Sequence, residues 1–193
     1  MSDAVTKLER PRLSPEDWAQ AALDLIAEQG VAALAVETLA KRLGVTKGSF
    51  YWHFPSRDAL LTMALERWEA VEVETVLGPV EAIADPRERL RELFLRTSRE
   101  VKSHAIYSAL IRAVDHALVA PVVERVSRRR MDYLMMAFLH AGMPRREAVQ
   151  RARLTYAAYV GFLQMSLQLH LPRLTAEEFE AYVDHVIVTL IPV

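Results

Sequence analysis

Cationic and aromatic side chains are concentrated between Lys41 and Arg57. This segment contains four Lys or Arg residues and no acidic residue, although the whole chain of 193 residues has a formal net charge of −1. Cations at this density can neutralise the phosphates of a nucleic acid. The hydroxyl and imidazole groups of the segment can bond to phosphates, and its aromatic and methyl groups can contact thymine methyl groups. These residue types indicate a nucleic-acid contact surface; the alternative is a solvated basic loop between packed helices.

Two short helices joined by a glycine turn are predicted to position these side chains. Apolar spacing predicts helices over 36–43 and about 46–54, and Gly44 between them can adopt the left-handed conformation of a sharp turn. Aromatic residues four apart would anchor the second helix on one face. At 100° per residue the opposite face centres on Trp52, with Tyr51 beside it. We expect this face to be exposed; the alternative is that both rings belong to the core.

The rest of the sequence shows helical periodicity almost throughout. A capped start at Ser14 opens the first helix, Ser56 can cap a long fourth helix, and Gly78-Pro79 and Asp85-Pro86 bracket the clearest break. Further helices are predicted at about 87–102, 106–117, 121–141, 145–171 and 176–190. The predicted fold class is all-α with about nine helices. Residues 1–58 are predicted to form a three-helix DNA-binding domain with a helix-turn-helix, preceded by a flexible arm over 1–13, and residues 59–193 a larger helical domain.

Composition excludes several classes of enzyme. The chain has no cysteine, which removes disulfides, thiolate catalysis and Cys-based metal sites. Its six glycines are too dispersed for a phosphate-binding loop, and the G-x-S-x-G and H-E-x-x-H signatures are absent. We therefore predict no catalytic residue, no cofactor and no metal. No secretory signal or membrane-length apolar run is visible, so a cytoplasmic protein without a membrane partner is expected.

The stretch G-V-T-K-G-S-F-Y-W-H-F-P-S-R-D-A-L-L, from Gly44 to Leu61, resembles the DNA-binding signature of the TetR family of bacterial transcriptional regulators. The resemblance covers about residues 14–65. It implies a homodimer, usually a repressor, whose two recognition helices read a palindromic operator of double-stranded DNA. It also implies that a small-molecule effector in the C-terminal body releases the DNA. Ala35 departs from the family, which often has a Ser or Thr cap there.

The resemblance places the DNA contacts on the second short helix and its flanks, and Gly48 would let that helix approach the groove closely. Arg57 stands where the family usually has a phosphate-contacting Lys. The candidate DNA-binding residues are Thr46, Lys47, Gly48, Ser49, Tyr51, Trp52, His53 and Arg57. Basic residues in the arm, Lys7, Arg10 and Arg12, are candidates for a minor-groove contact, although a disordered tail is favoured.

The C-terminal body carries candidates for an effector site and a dimer interface. Polar and aromatic residues in otherwise apolar helices are candidates for lining a pocket: His104, Tyr107, Arg112, His116, Tyr156, Tyr159 and Gln164. Small and apolar residues at helical spacing indicate a four-helix dimer interface, with Ala157, Gly161, Val183 and Ile187 as its candidates; the alternative is a central core. The cationic run Ser127–Arg130 is predicted to be solvated surface.

These observations predict a ligand-responsive dimeric transcriptional repressor, not an enzyme. The effector's identity does not follow from the sequence. Two alternatives stay open. One is a helical enzyme with His104 or His116 as its general base, and the other is an activator or DNA-binding protein without an effector.

Overall fold

The computed structural model describes residues 13–191, and within that range it contains helices and no strand. The fourth helix continues through a π turn, Val73–Leu77, into a last helical turn, Gly78–Glu81, and the eighth ends in a second π turn, Met165–Leu169. The predicted all-α class is confirmed. The nine helices are α1 (Pro15–Gln29), α2 (Val36–Leu43), α3 (Lys47–Tyr51), α4 (Arg57–Glu72), α5 (Pro86–Arg99), α6 (Val101–Ile111), α7 (Ala120–His140), α8 (Arg145–Gln164) and α9 (Ala176–Leu190).

Local signals define the N-terminal helices. Ser14 caps α1 in a reciprocal capping box: the Asp17 backbone N–H donates to the Ser14 hydroxyl at 3.2 Å, and the Ser14 N–H donates to the Asp17 carboxylate at 2.7 Å. Gly44 ends α2 in the left-handed region with φ +69°. Ala35, as expected from its side chain, supplies no cap to α2. Of the predicted arm over 1–13, only Leu13 lies within the described residues, and it packs against the core.

The C-terminal helices differ from the predicted ones at several ends. Only residues 82–85 of the predicted break are non-helical, because α4 continues past Gly78-Pro79. Pro79 has no N–H for an α-helical bond, and the wider π turn before it accommodates this, with the Gly78 N–H donating to the Val73 carbonyl. The helix predicted over 87–102 ends instead at Arg99, and α6 begins at Val101, earlier than the predicted 106.

Two apolar clusters form the interior. The larger joins the N-terminal helices to the body: α1 packs on both α4 and α6, and Trp18, Leu61 and Leu110 are all fully buried in it. The smaller lies between α5, α7 and α8, around Leu90 and Phe138. Because the first cluster crosses the predicted boundary at residue 58, α1 packs directly on the helices of the body.

A charged cluster lies between α4 and α7. Glu72 accepts hydrogen bonds from Arg129 at 2.9 Å and from Arg130 at 2.5 Å, while Glu69 accepts from Arg125 at 2.6 Å and from Arg129 at 2.7 Å. The carboxylate of Glu72 and the guanidinium of Arg130 are largely buried, with 8% and 14% of their side chains exposed. The prediction that this cationic run is solvated surface is therefore wrong for Arg130, because α4 supplies it with a buried carboxylate.

We predict that Glu72→Gln lowers the free energy of unfolding by about 3 kcal/mol, because it leaves the buried Arg130 charge without its partner. Urea unfolding of the purified protein measures this. Glu124→Gln is the matched control, since Glu124 pairs with Arg128 on the surface, with about 70% of each side chain exposed, and such pairs contribute little. Equal losses in the two variants would contradict the role assigned to the buried pair.

Candidate nucleic-acid interface and interior cavity

The short helix α3 is held by one buried aromatic residue. Phe50 is fully buried, with its ring edge-to-face against Trp18 at 5.4 Å and stacked on Phe54 at 5.5 Å. This packing turns the other face of the helix outward, where Tyr51 is 61% and Trp52 81% exposed. The predicted orientation of the two rings is confirmed, and the alternative that they belong to the core is wrong.

The other candidate DNA-binding residues surround this face. Thr46, Lys47 and Gly48 are exposed, whereas Ser49 and His53 are half-buried. A Cβ at Gly48 would meet nothing closer than the Thr46 hydroxyl, at an ordinary contact distance of 3.6 Å. The fold of one chain therefore does not require a glycine at this position, and close approach of this helix to DNA stays a prediction.

Carboxylates from neighbouring helices partly neutralise the basic segment. Lys47 forms an ion pair with Glu37 of α2, and Arg42 forms one with Glu28 of α1 at 2.6 Å. Hydrogen bonds from these cations lower the pKa of both Glu28 and Glu37. Charge counting within 41–57 missed both acids because they lie earlier in the chain. The usable positive charge of this surface is consequently smaller than the sequence indicates.

Arg57 faces the protein in this structure. Its Nε donates to the Leu34 carbonyl at 2.6 Å and its Nη2 to the Val31 carbonyl at 3.0 Å, while Nη1 lies 3.3 Å from Asp58. These bonds fix the start of α4 to the connection between α1 and α2. The phosphate contact expected for Arg57 stays a prediction. In this structure the side chain holds the start of α4 against the helix-turn-helix.

The body contains two adjoining chambers. The outer chamber, about 490 Å³, lies between α5, α6, α8 and α9, and the inner chamber, about 100 Å³, lies between α4, α5, α6, α7 and α8. Both chambers share the following lining residues: Phe94, Thr97, His104, Thr155 and Tyr159. Such a largely apolar cavity with a few convergent polar groups is typical of a small-molecule site.

Three of the seven predicted effector-binding residues line these chambers. His104 and Tyr159 line both, and Tyr156 lines the inner one. The hydroxyl of Tyr107 is instead occupied by Ser127, at 2.8 Å, and by Tyr156.

The other three predicted residues bond to neighbouring parts of the body and line neither chamber. Arg112 donates to Gln168 at 2.9 Å, and Gln164 accepts from Ser108 at 3.1 Å, so both belong to polar contacts between α6 and α8. His116 accepts from the Leu118 N–H at 3.2 Å, in the connection to α7.

The sequence analysis missed Arg130 and Tyr133, which line the inner chamber. The Arg130 guanidinium lies 4.3 Å from the ring centre of Tyr107, and the rings of Trp68 and Tyr159 lie within 6 Å of it. Burial alone would lower the pKa of Arg130, but nearby Tyr159 and Glu72 more than offset it, so the group stays charged. Its position was visible in the sequence, because it falls on the apolar stripe of α7 between Val126 and Leu134.

The predicted dimer residues divide between surface and interior. Ala157 and Gly161 are exposed on α8. Ile187, however, is only 4% exposed within one chain, and Val183 lines the outer chamber. The two residues of α9 therefore face the interior because α9 covers the cavity with that side.

Within residues 13–191 no helix is long and apolar enough to cross a membrane. Nor does that part of the chain bring together three or more side chains that could hold a metal ion.

Burial and the neighbouring charge of Arg130 lower the pKa of His104 to about 4. Between that value and the ordinary 6.5, the unfolded chain binds a proton at this residue and the folded chain does not. We therefore predict that His104 makes the free energy of unfolding decrease as the pH falls from about 6.5 towards 4, by up to about 1.4 kcal/mol per pH unit.

Urea unfolding of the protein and of His104→Gln at a series of pH values measures this contribution. The difference between the two should be constant above pH 7 and should change steadily below 6.5. A difference that is independent of pH down to 4.5 would contradict a buried neutral imidazole.

The N-terminal part of the chain matches proteins of known class. The family model described as bacterial regulatory proteins of the tetR family matches residues 20–63. The tetracycline repressor protein class A from transposon 1721 of Escherichia coli is 46% identical over 55 residues, which cover 28% of this chain and 26% of that protein. This chain spans about a quarter to about half of the length of the curated relatives it matches. Those relatives are named as transcriptional regulators or repressors, which favours a regulator over the helical enzyme.

Solved structures extend the likeness to nearly the whole chain. A transcriptional regulator from Rhodococcus sp. Rha1 is 26% identical, with a TM-score of 0.75 over 92% of this chain and 96% of that one. The structure of AibR in complex with isovaleryl coenzyme A and operator DNA is 20% identical, with a TM-score of 0.69 over 92% and 98%. The helix-turn-helix region is thus similar to that of bacterial regulatory proteins of the tetR family, and the helical fold of nearly the whole chain is similar to that of a solved transcriptional regulator.

Proposed function

We propose that this protein is a dimeric transcriptional repressor that binds a palindromic operator through α3 and releases it when a small molecule occupies the body. The observation that carries the proposal is the outward face of α3, where Tyr51 and Trp52 stand exposed while Phe50 fixes the helix from behind. Two large exposed rings on one short helix are costly in water and suit the edges of bases in a major groove. Binding to an operator, release by an effector and repression are all parts of this proposal.

The chambers supply the effector site. Their combined volume, apolar walls and few polar groups suit a ligand of drug size. AibR, which shares the fold, was solved with isovaleryl coenzyme A and operator DNA together. A site of this kind within the same fold favours an effector-responsive regulator over one that has no effector.

The helix α4 couples the two sites. It starts at Arg57, bonded to the α1–α2 connection, and it carries Glu72, which lines the inner chamber. A ligand that binds one arrangement of α4 more tightly increases the population of that arrangement and thereby shifts the position of α3. By linkage, operator DNA lowers the affinity for that ligand to the same extent.

The exposed face of α8 supports the dimer. Leu154, Ala157, Ala158, Gly161 and Met165 follow the spacing of one helix face, and all are exposed. Val188 on the outer side of α9 is also exposed. A second copy packed on this surface would bury it and would set the distance between the two α3 helices. The proposed interface includes the predicted residues Ala157 and Gly161. On α9 it includes the exposed Val188 and not the buried Ile187.

We predict that Tyr51→Ala weakens binding to duplexes selected by the protein from a random-sequence pool by about 1–3 kcal/mol, because it removes a direct contact. Glu37→Gln is expected to act in the opposite direction, since it frees Lys47 for the DNA. Fluorescence anisotropy at one fixed salt concentration measures both. Glu124→Gln removes a similarly ion-paired surface carboxylate from α7 and should change nothing. Unchanged affinity in Tyr51→Ala would contradict the assigned reading face.

We predict that Gly161→Glu converts a dimer into a folded monomer. A Cβ at this position meets nothing within 4 Å inside one chain, so a larger side chain fits the monomer. In the dimer the same carboxylate would be buried against the second copy without a partner. Sedimentation velocity measures the state, and Val114→Glu, at an exposed apolar residue before α7, is the control. A monomeric parent protein at micromolar concentration, or an unchanged Gly161→Glu dimer, would contradict the interface.

A further inference from the structure

The inner chamber contains hydrogen-bond donors that the protein itself does not use. Arg130 and Tyr133 line this chamber, and within the described residues Arg130 Nη1 and the Tyr133 hydroxyl are buried without a hydrogen-bond partner. The two residues are three apart on α7 and therefore share one face of the helix. Because an unsatisfied buried polar atom costs free energy, two of them beside an interior space point to a ligand that satisfies them.

The Arg130 guanidinium has only part of its donor set free. Its Nε donates to Glu72, which leaves the hydrogens of Nη1 as donors without a partner. Burial raises the pKa of the Tyr133 phenol, which keeps its proton for donation. The chamber thus offers N–H and O–H donors from two residues, which suit an acceptor oxygen on the ligand.

The groups that line the inner chamber disfavour a charged head group. The charged ones are Arg130, its ion-pair partner Glu72, and Glu100, while His104 at the junction of the chambers is neutral near pH 7. An anion would therefore enter a buried site that offers it no net positive charge, and its desolvation would not be offset. An ammonium group has no acceptor for the unpartnered donors of Arg130 and Tyr133.

The outer chamber provides the contacts for the apolar part of the ligand. Its walls are mainly hydrocarbon and aromatic, with Phe162 stacked on Tyr182 at 4.5 Å and Phe94 at the entrance to the inner chamber. At the junction, His104 donates a ring hydrogen bond to the Thr97 backbone, which leaves its Nε2 as a free acceptor. The Thr155 hydroxyl beside it is also without a partner among the described residues. Deeper in the outer chamber the Ser166 hydroxyl is a further unpartnered group, so most of the unpartnered polar atoms lie at the inner chamber and the junction.

We propose that the two chambers together bind one uncharged, mainly apolar molecule with a carbonyl-type oxygen at one end. That oxygen accepts hydrogen bonds from Arg130 and Tyr133 in the inner chamber, and the hydrocarbon body fills the outer chamber. The assignment rests on the proposed function only in naming this molecule as the class of effector. Because Arg130 also holds Glu72, the ligand contacts the group that ties α4 to α7.

Isothermal titration calorimetry without DNA tests the ligand class with three probes of equal chain length: 2-decanone, decanoate and decylammonium. We expect 2-decanone to bind most tightly at pH 7.5. Tyr133→Phe removes one hydroxyl and should weaken 2-decanone binding about 2- to 10-fold, the worth of a net hydrogen bond. Thr62→Val removes an exposed hydroxyl of α4 that lines neither chamber and should leave that affinity unchanged.

Tighter binding of decanoate or decylammonium would overturn the proposal, and so would the absence of 2-decanone binding or equal affinity in Tyr133→Phe. Arg130→Gln is not needed for the test, since it disturbs the Glu72 pair. Addition of 2-decanone to the DNA complex separates the two proposals. Binding without any change in DNA affinity would leave the ligand class intact and contradict the effector-controlled switch.

Discussion

The buried Arg130 must keep a carboxylate next to it, and that requirement holds α4 against α7. Its guanidinium lies among aromatic rings and bonds to Glu72 at 2.5 Å, where an unpaired charge would be strongly unfavourable. The opposite end of α4 is fixed as well, by the bonds of Arg57 to the Leu34 and Val31 carbonyls. A helix of 16 residues, roughly 24 Å long, is thus attached at both ends. In the proposed switch, this attachment at both ends carries a change near Arg130 to the helix-turn-helix.

In the proposed switch, the same pair makes the inner chamber the control point. A molecule that contacts Arg130 either weakens or strengthens the ion pair that positions Glu72. Moving a two-state equilibrium from 1:99 to 99:1 requires a difference of about 5.5 kcal/mol in binding between the states. A buried ion pair is one of the few contacts in a small domain whose rearrangement involves energies of that size. The larger outer chamber supplies affinity through apolar burial, which by itself favours neither arrangement.

Sequence reasoning succeeded where structure is decided locally. The Ser14 capping box and the left-handed Gly44 depend on residues within a few positions of one another. It failed where the partner is distant along the chain. Nothing near Lys47 shows that Glu37 lies across the turn, and nothing near Arg130 shows a carboxylate 58 residues away. Helical spacing likewise shows that α9 has an apolar face, but it does not show which side covers the cavity and buries Ile187.

These distant partners also change the meaning of the overall charge. Ion pairs from Glu28 and Glu37 remove much of the local positive excess of the helix-turn-helix, and Arg57 is engaged with backbone carbonyls. Few free cations remain there to release counterions from a duplex, so we expect sequence-independent affinity to be weak and to fall only slightly with salt. Discrimination must then come from groups that touch bases, and the exposed rings of Tyr51 and Trp52 are the groups this surface offers. A near-neutral chain is therefore compatible with a DNA-binding protein that reads sequence more than it attracts phosphate.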